Sequence, residues 1–161
     1  MKTLIIAAAA LAMLATGAQA QSVRIATEGA YAPWNFLDDS GKPAGFEIDL
    51  GNELCARAAL DCTFQTNEWD SIIPNLIAGN YDAIMAGMSI TDERKQTIDF
   101  SEPYSPPDPS AFMMLAGTTV DFTNLKGLKI GVQGATIQAA YIDANLKDGN
   151  TVLAFENADQ A

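Results

Sequence analysis

The chain has 161 residues, with 20 acidic against nine basic side chains, a formal charge of −11 and no histidine. Nucleic acid is excluded as a partner, because phosphate binding needs clustered bases and these are scattered. The lack of histidine excludes the serine and cysteine triads that depend on it.

Met1–Ala20, MKTLIIAAAALAMLATGAQA, starts with one lysine, runs apolar from Leu4 to Ala15 and ends in Ala-Gln-Ala. This is the pattern of an export signal, and its apolar run is shorter than the roughly 20 residues of a membrane-spanning helix. No cysteine follows the cleavage site, so the exported product is expected to be soluble and without a lipid anchor. Cleavage removes one lysine and no acid, taking the charge to −12.

Val23–Ala26 reads as the opening strand, and WNFLDDSGKPAGFEIDL as a hairpin turning at Asp-Asp-Ser-Gly-Lys-Pro, with Trp34 and Phe36 packed in the core. Apolar residues recur at helical spacing from Ile48 to about Leu60, and Cys62–Gln65 returns as a strand. The next unit repeats the scheme. A helix is expected from about Ser71 to Ala78 with Pro74 in its first turn, then a Gly79-Asn80 stop and a strand over Asp82–Ala86. Thr91 starts another short helix that ends before Phe100. The proline-rich SEPYSPPDPSAF and an apolar strand Phe112–Ala116 suit a crossover between two lobes. Lys129–Val132 is a strand, Thr136 opens a helix after a glycine-rich turn, and Thr151–Phe155 is a strand. Strands alternating with helices predict an α/β fold with a mainly parallel sheet.

Cys55 and Cys62 flank one short loop in ELCARAALDC. In an oxidising compartment a disulfide is the favoured reading; metal binding lacks histidine and further ligands at suitable spacing. The second α/β unit has too few elements to cover both faces of a parallel sheet, so a fragment of a longer two-lobed protein is expected.

Four stretches, TEGAYAPWNF, GFEIDLGNELCARAALDC, EWDSIIPNLIAGNYDAIMAGMSITDERKQTIDFSEPY and IGVQGATIQ, resemble the periplasmic solute-binding proteins of amino acid ABC transporters, in the branch for basic amino acids and opines. The resemblance spans Gln21–Ala161 and implies a two-lobed, type II periplasmic binding fold. Residues 21–110 would belong to the first lobe, 111–117 to a hinge strand and 118–161 to an incomplete second lobe.

What the resemblance implies about residues can be weighed against their chemistry. A lone arginine in a short acidic helix is usually solvated and paired locally, here with Asp92 or Glu93; the family instead uses an arginine at the position of Arg94 to clamp the ligand carboxylate, for which guanidinium geometry is suited. Ser89 would add a hydroxyl or amide proton to the same carboxylate, cap the following helix, or do both. Gly87 matches a position whose carbonyl faces the ligand ammonium, or else marks close packing. Relatives often have serines where this chain has Ala86 and Gly87, which leaves room for a bulkier ligand. Tyr31 and Trp69 match aromatic residues that sandwich the ligand stem, as aromatic faces hold cations. Glu28, after the first strand at its carboxyl end, would hold a distal cation, and Thr136 would bring the second lobe to the carboxylate.

The expected function is capture of arginine, lysine, ornithine, histidine or an opine such as octopine or nopaline in the periplasm, by a monomer that closes around its ligand and delivers it to an inner-membrane permease. It requires no cofactor, no metal and no catalytic residue. The alternatives are an enzyme on the same scaffold, a dehydratase or murein lyase with Glu28 as general acid but no second acid placed for it, and a ligand-sensing module.

Overall fold

The computed structural model describes residues 20–161, so the expected export signal, apart from Ala20, lies outside the described residues. β1 (Ser22–Thr27) is the middle strand of a parallel sheet in the order β5–β1–β6, with β5 at Asp61–Thr66 and β6 at Ala83–Ile84. Its β-branched and apolar run ends in three buried residues, Ile25, Ala26 and Thr27. β1 and β5 are in register from Ser22–Asp61 to Thr27–Thr66. The strand expected over Asp82–Ala86 is shorter, yet Asp82 N–H donates to the Arg24 carbonyl at 2.9 Å and Met85 N–H to that of Ala26 at 2.8 Å, so pairing continues past both ends. Arg24 holds this edge by donating to the Asp82 carboxylate at 2.8 Å and to the carbonyls of Asn80 and Gly79; its hydrogen bonds keep the Asp82 carboxyl at a pKa of about 2.

The hairpin comprises β2 (Ala30–Tyr31), β3 (Asn35–Leu37) and β4 (Pro43–Ala44), all antiparallel. Asp38 makes its turn, its carboxylate accepting the amide protons of Ser40 and Lys42. Trp34 and Phe36, expected in the core, are only half-buried, and the polar Asn35 between them is the fully buried residue. Alternation along β3 turns Asn35 inward because a hydrogen-bonding partner, Glu47, waits there.

Helix α1 (Phe46–Ala58) starts and stops two residues before the expected bounds. Gly45 sets its start: at φ 116, with an added Cβ only 2.5 Å from the Trp34 carbonyl oxygen, no other residue fits. Cys55 on its buried face is bonded to Cys62 of β5. Helix α2 (Trp69–Ile77) starts two residues early, placing Pro74 in its interior instead of its first turn. Burial of Trp69 and Ile72 draws the helix start forward, and the proline leaves the Asp70 carbonyl without its helical donor. The core gathers Ala26, Trp69, Ile72, Tyr81 and Ala86, with the Tyr81 hydroxyl donating to the Ile72 carbonyl.

The helix expected from Thr91 is a single 3₁₀ turn, Arg94–Gln96, whose first amide proton is capped by the Thr91 hydroxyl at 3.2 Å. The segment 98–128 contains no helix or strand. In particular Phe112–Ala116, expected to be a strand, has no pairing partner, and Met113 and Leu115 are 96% and 85% exposed. Apolar, β-prone sequence does not form a strand without a sheet to join. β7 (Lys129–Gln133) and β8 (Thr151–Phe155) then pair in parallel across helix α3 (Ile137–Asn145), giving a second, two-stranded α/β unit.

Candidate functional site

The carboxyl ends of β1, β6 and β7 and the amino ends of α2 and α3 converge, which is where open parallel sheets place ligands. Arg94 lies at the centre. Its Nη1 donates to the Ser89 carbonyl at 2.9 Å and its Nη2 to the Ala135 carbonyl at 3.3 Å, while its Cζ stands 5.4 Å from the centre of the Trp69 ring. Among the described residues it forms no ion pair, so the local pairing with Asp92 or Glu93 does not occur. Burial lowers its pKa from the ordinary arginine value, with the Glu93 charge acting in the opposite direction. A guanidinium partly stripped of water and given only neutral carbonyls keeps capacity for an anion. It borders a cavity of about 170 Å³ lined also by Trp69, Asp70, Met88 and Ala135. A larger recess, about 580 Å³, opens beside Lys95 and Asp99–Pro103 and holds none of the candidate residues.

Trp69 is buried, donates its indole proton to the Ala135 carbonyl at 3.1 Å and offers a ring face to Arg94. Tyr31 is 40% exposed, and its ring lies against Gly87. Gly87 adopts φ 58, and a Cβ there would stand 2.9 Å from the Tyr31 ring. The room expected beside this missing side chain is therefore filled by Tyr31 and not left for a ligand. Its amide proton is donated to Glu47 at 2.6 Å. Ser89 is exposed and meets Arg94 through its carbonyl; Thr91, not Ser89, supplies the cap.

Glu28 is half-buried and accepts the side-chain amide proton of Gln133 at 2.5 Å. Burial pushes its pKa up, the Gln133 hydrogen bond opposes that, and the charges of Glu68, Asp159 and Asp70 push it further up. Thr136 caps α3: its hydroxyl accepts from Ala139 N–H at 3.1 Å and donates to the Gln133 carbonyl at 2.8 Å. That hydroxyl is fully engaged, so any anion at this helix start would meet backbone amide protons.

The structure therefore brings Ser89, Arg94 and Trp69 together with the turn before Thr136, sets Tyr31 on Gly87, and joins Glu28 to that same turn through Gln133. Sequence reasoning missed Gln133, the Ala135 carbonyl, Glu47 and Asn35. Gln133 sits just before the glycine of the GAT turn, a position that could have marked it; a backbone carbonyl carries no residue-type signal.

Residues 23–158 match the family of bacterial extracellular solute-binding proteins, family 3. The chain is 36% identical to an octopine-binding periplasmic protein of Rhizobium meliloti, over 89% of this chain and 57% of that protein. It is 38% identical to a lysine/arginine/ornithine-binding periplasmic protein of Escherichia coli, over 99% of this chain and 64% of that one. Among solved structures it resembles a periplasmic His/Glu/Gln/Arg/opine family-binding protein of Silicibacter pomeroyi in complex with lysine, at 48% identity and a TM-score of 0.70, over 86% of this chain and 60% of that one. An ancestral arginine-binding protein bound to arginine aligns at 32% identity and a TM-score of 0.74, over 86% of this chain and 62% of that one. The chain thus spans less than two thirds of the length of these relatives. The fold is that of the type II periplasmic binding proteins.

Proposed function

The chain belongs to the bacterial extracellular solute-binding proteins, family 3, and on that premise we propose that it captures a basic L-amino acid or an opine in the periplasm and hands it to an inner-membrane ABC permease. The observation that carries this reading is Arg94, a half-buried guanidinium over an indole with no carboxylate partner among the described residues. In this reading Arg94 takes the ligand carboxylate, helped by Ser89 and by amide protons at the Thr136 helix start. The Gly87 carbonyl faces the ammonium group, Tyr31 and Trp69 flank the stem, and Glu28 holds the distal cation. Residues 21–110 form most of the first lobe, 111–117 the connection and 118–161 part of the second, in a protein that works as a monomer. Relatives named for octopine and for lysine, arginine and ornithine support the ligand class.

The test is calorimetric titration of the full-length protein with arginine, ornithine, octopine and glutamate, beside Arg94→Ala. Losing a buried charge-assisted contact costs about 2–4 kcal/mol, so cationic ligands should bind at least tenfold more weakly to the variant. Equal affinity would remove the carboxylate clamp from this account, and a preference for glutamate would remove the basic ligand class.

One observation favours a second reading. A carboxyl whose pKa is raised by burial is the form a general acid takes, and turnover of a bound candidate substrate would put an enzyme in place of a carrier.

A further inference from the structure

Glu47 is fully buried in the first turn of α1, outside the group of residues that the sequence marks for ligand contact. Three donors converge on its carboxylate: Asn35 Nδ2 reaches one oxygen at 2.7 Å, and Gly87 N–H at 2.6 Å and the Tyr104 hydroxyl reach the other. Asn35 in turn accepts the Gly29 amide proton at 2.7 Å through its Oδ1. The Glu47–Asn35 pair therefore ties together the Glu28–Tyr31 loop, the Gly87 loop and the segment carrying Tyr104.

We infer that Glu47 is a positioning residue that fixes the distance between the Glu28–Tyr31 and Gly87 loops, and so sets the span available to the ligand; this rests on the ligand-capture reading above. The inference follows from cost and geometry. A buried carboxylate is a poor way to gain stability, since its desolvation is only offset by well-aimed donors. What three donors from three segments do supply is a fixed mutual arrangement, and Gly87, at φ 58, has no side chain of its own to hold its orientation. An amide at position 47 would keep one acceptor and turn a donor toward a donor, either at Asn35 or at the oxygen shared by Gly87 and Tyr104. Exchanging the two groups restores every bond: a glutamine at 47 donates to an aspartate at 35, accepts from Gly87 and Tyr104, and leaves the aspartate's second oxygen to Gly29.

The test compares wild type, Glu47→Gln and the double variant Asn35→Asp/Glu47→Gln in the full-length protein, using arginine and octopine as probes and measuring Kd and thermal unfolding separately. The expected result is a folded Glu47→Gln protein that binds about tenfold or more weakly, with affinity returning to within about threefold of wild type in the exchanged pair. A folded Glu47→Gln protein with unchanged Kd overturns the inference, as does an exchanged pair that folds without recovering affinity. Should Glu47→Gln not fold, Tyr104→Phe decides: it keeps the carboxylate and removes one donor, and weaker binding at unchanged Tm supports the inference while unchanged Kd overturns it. Wild type that binds neither probe would strike at the ligand-capture reading itself, which keeps the two failures distinct.

Discussion

At the carboxyl end of β1, Glu28 meets conditions that make its charge conditional on pH. Burial, foremost, and the neighbouring Glu68, Asp159 and Asp70 raise its pKa, against the Gln133 hydrogen bond. With a folded pKa above the unfolded one, the folded protein holds the proton more tightly, so this group favours folding at low pH and costs stability as pH rises through that window. A cationic ligand has the opposite preference, because it needs the ionised carboxylate and drives the proton off. Affinity for arginine should therefore rise with pH through the raised Glu28 pKa and level off above it. Glu28→Gln should flatten that dependence, weaken binding by about tenfold or more and leave the Tm equal or higher, since a desolvated charge is gone. Titrations across the acidic range check this, and a wild-type affinity that does not vary with pH would remove Glu28 from the ligand's cationic end. Glu28 was legible because its place after a strand is a sequence property. Glu47 and Asn35 were not, because the helical period of α1 marks Ile48 and Cys55 as its buried face and nothing local announces a carboxylate between hairpin and helix.

Elements follow the same division between local signal and tertiary choice. The parallel α/β plan was readable from alternating periods, and β8 was read at its true bounds, because each apolar run there finds a strand to pair with. Phe112–Ala116 has the same apolar texture but no neighbour, and it stays out of any sheet. Helix ends moved where packing decided them: Gly45 starts α1 early, and Ala59, at φ 53, stops it. That stop points the chain back so that Cys55 and Cys62, seven residues apart, can join helix to strand. Closing so short a loop limits the unfolded chain only modestly, so replacing both with alanine should cost about 2 kcal/mol. Denaturant unfolding of that variant, and of wild type with and without reductant, measures it. An unchanged midpoint would mean that the α1–β5 packing holds the pair without the bond.

At the scale of the molecule, the two α/β units are joined at the turn Gln133–Thr136. Trp69 and Arg94 both donate to the Ala135 carbonyl, and Gln133 donates to Glu28, so one turn receives three links from the opposite unit. All three of these links involve groups that the proposed ligand would touch. A ligand seated between the units must therefore rearrange the contacts that hold them, which is what a hinge-closing binder requires. The acidic excess of this chain, 20 acids against nine bases, is of the sign that would favour approach of a cation. Trp69 stands at this junction, whereas Trp34, in the hairpin, packs edge-on against Phe46 of α1, with 5.3 Å between ring centres. Emission of the full-length protein should change when arginine or octopine is added. Trp34→Phe should keep that change and Trp69→Phe should diminish it, because of these two rings Trp69 is the one that loses or gains a partner when the units move. A response carried by Trp34, or none from either ring at saturating ligand, would mean that the Gln133–Thr136 turn is a fixed seam, and that any closure takes place elsewhere in the fold.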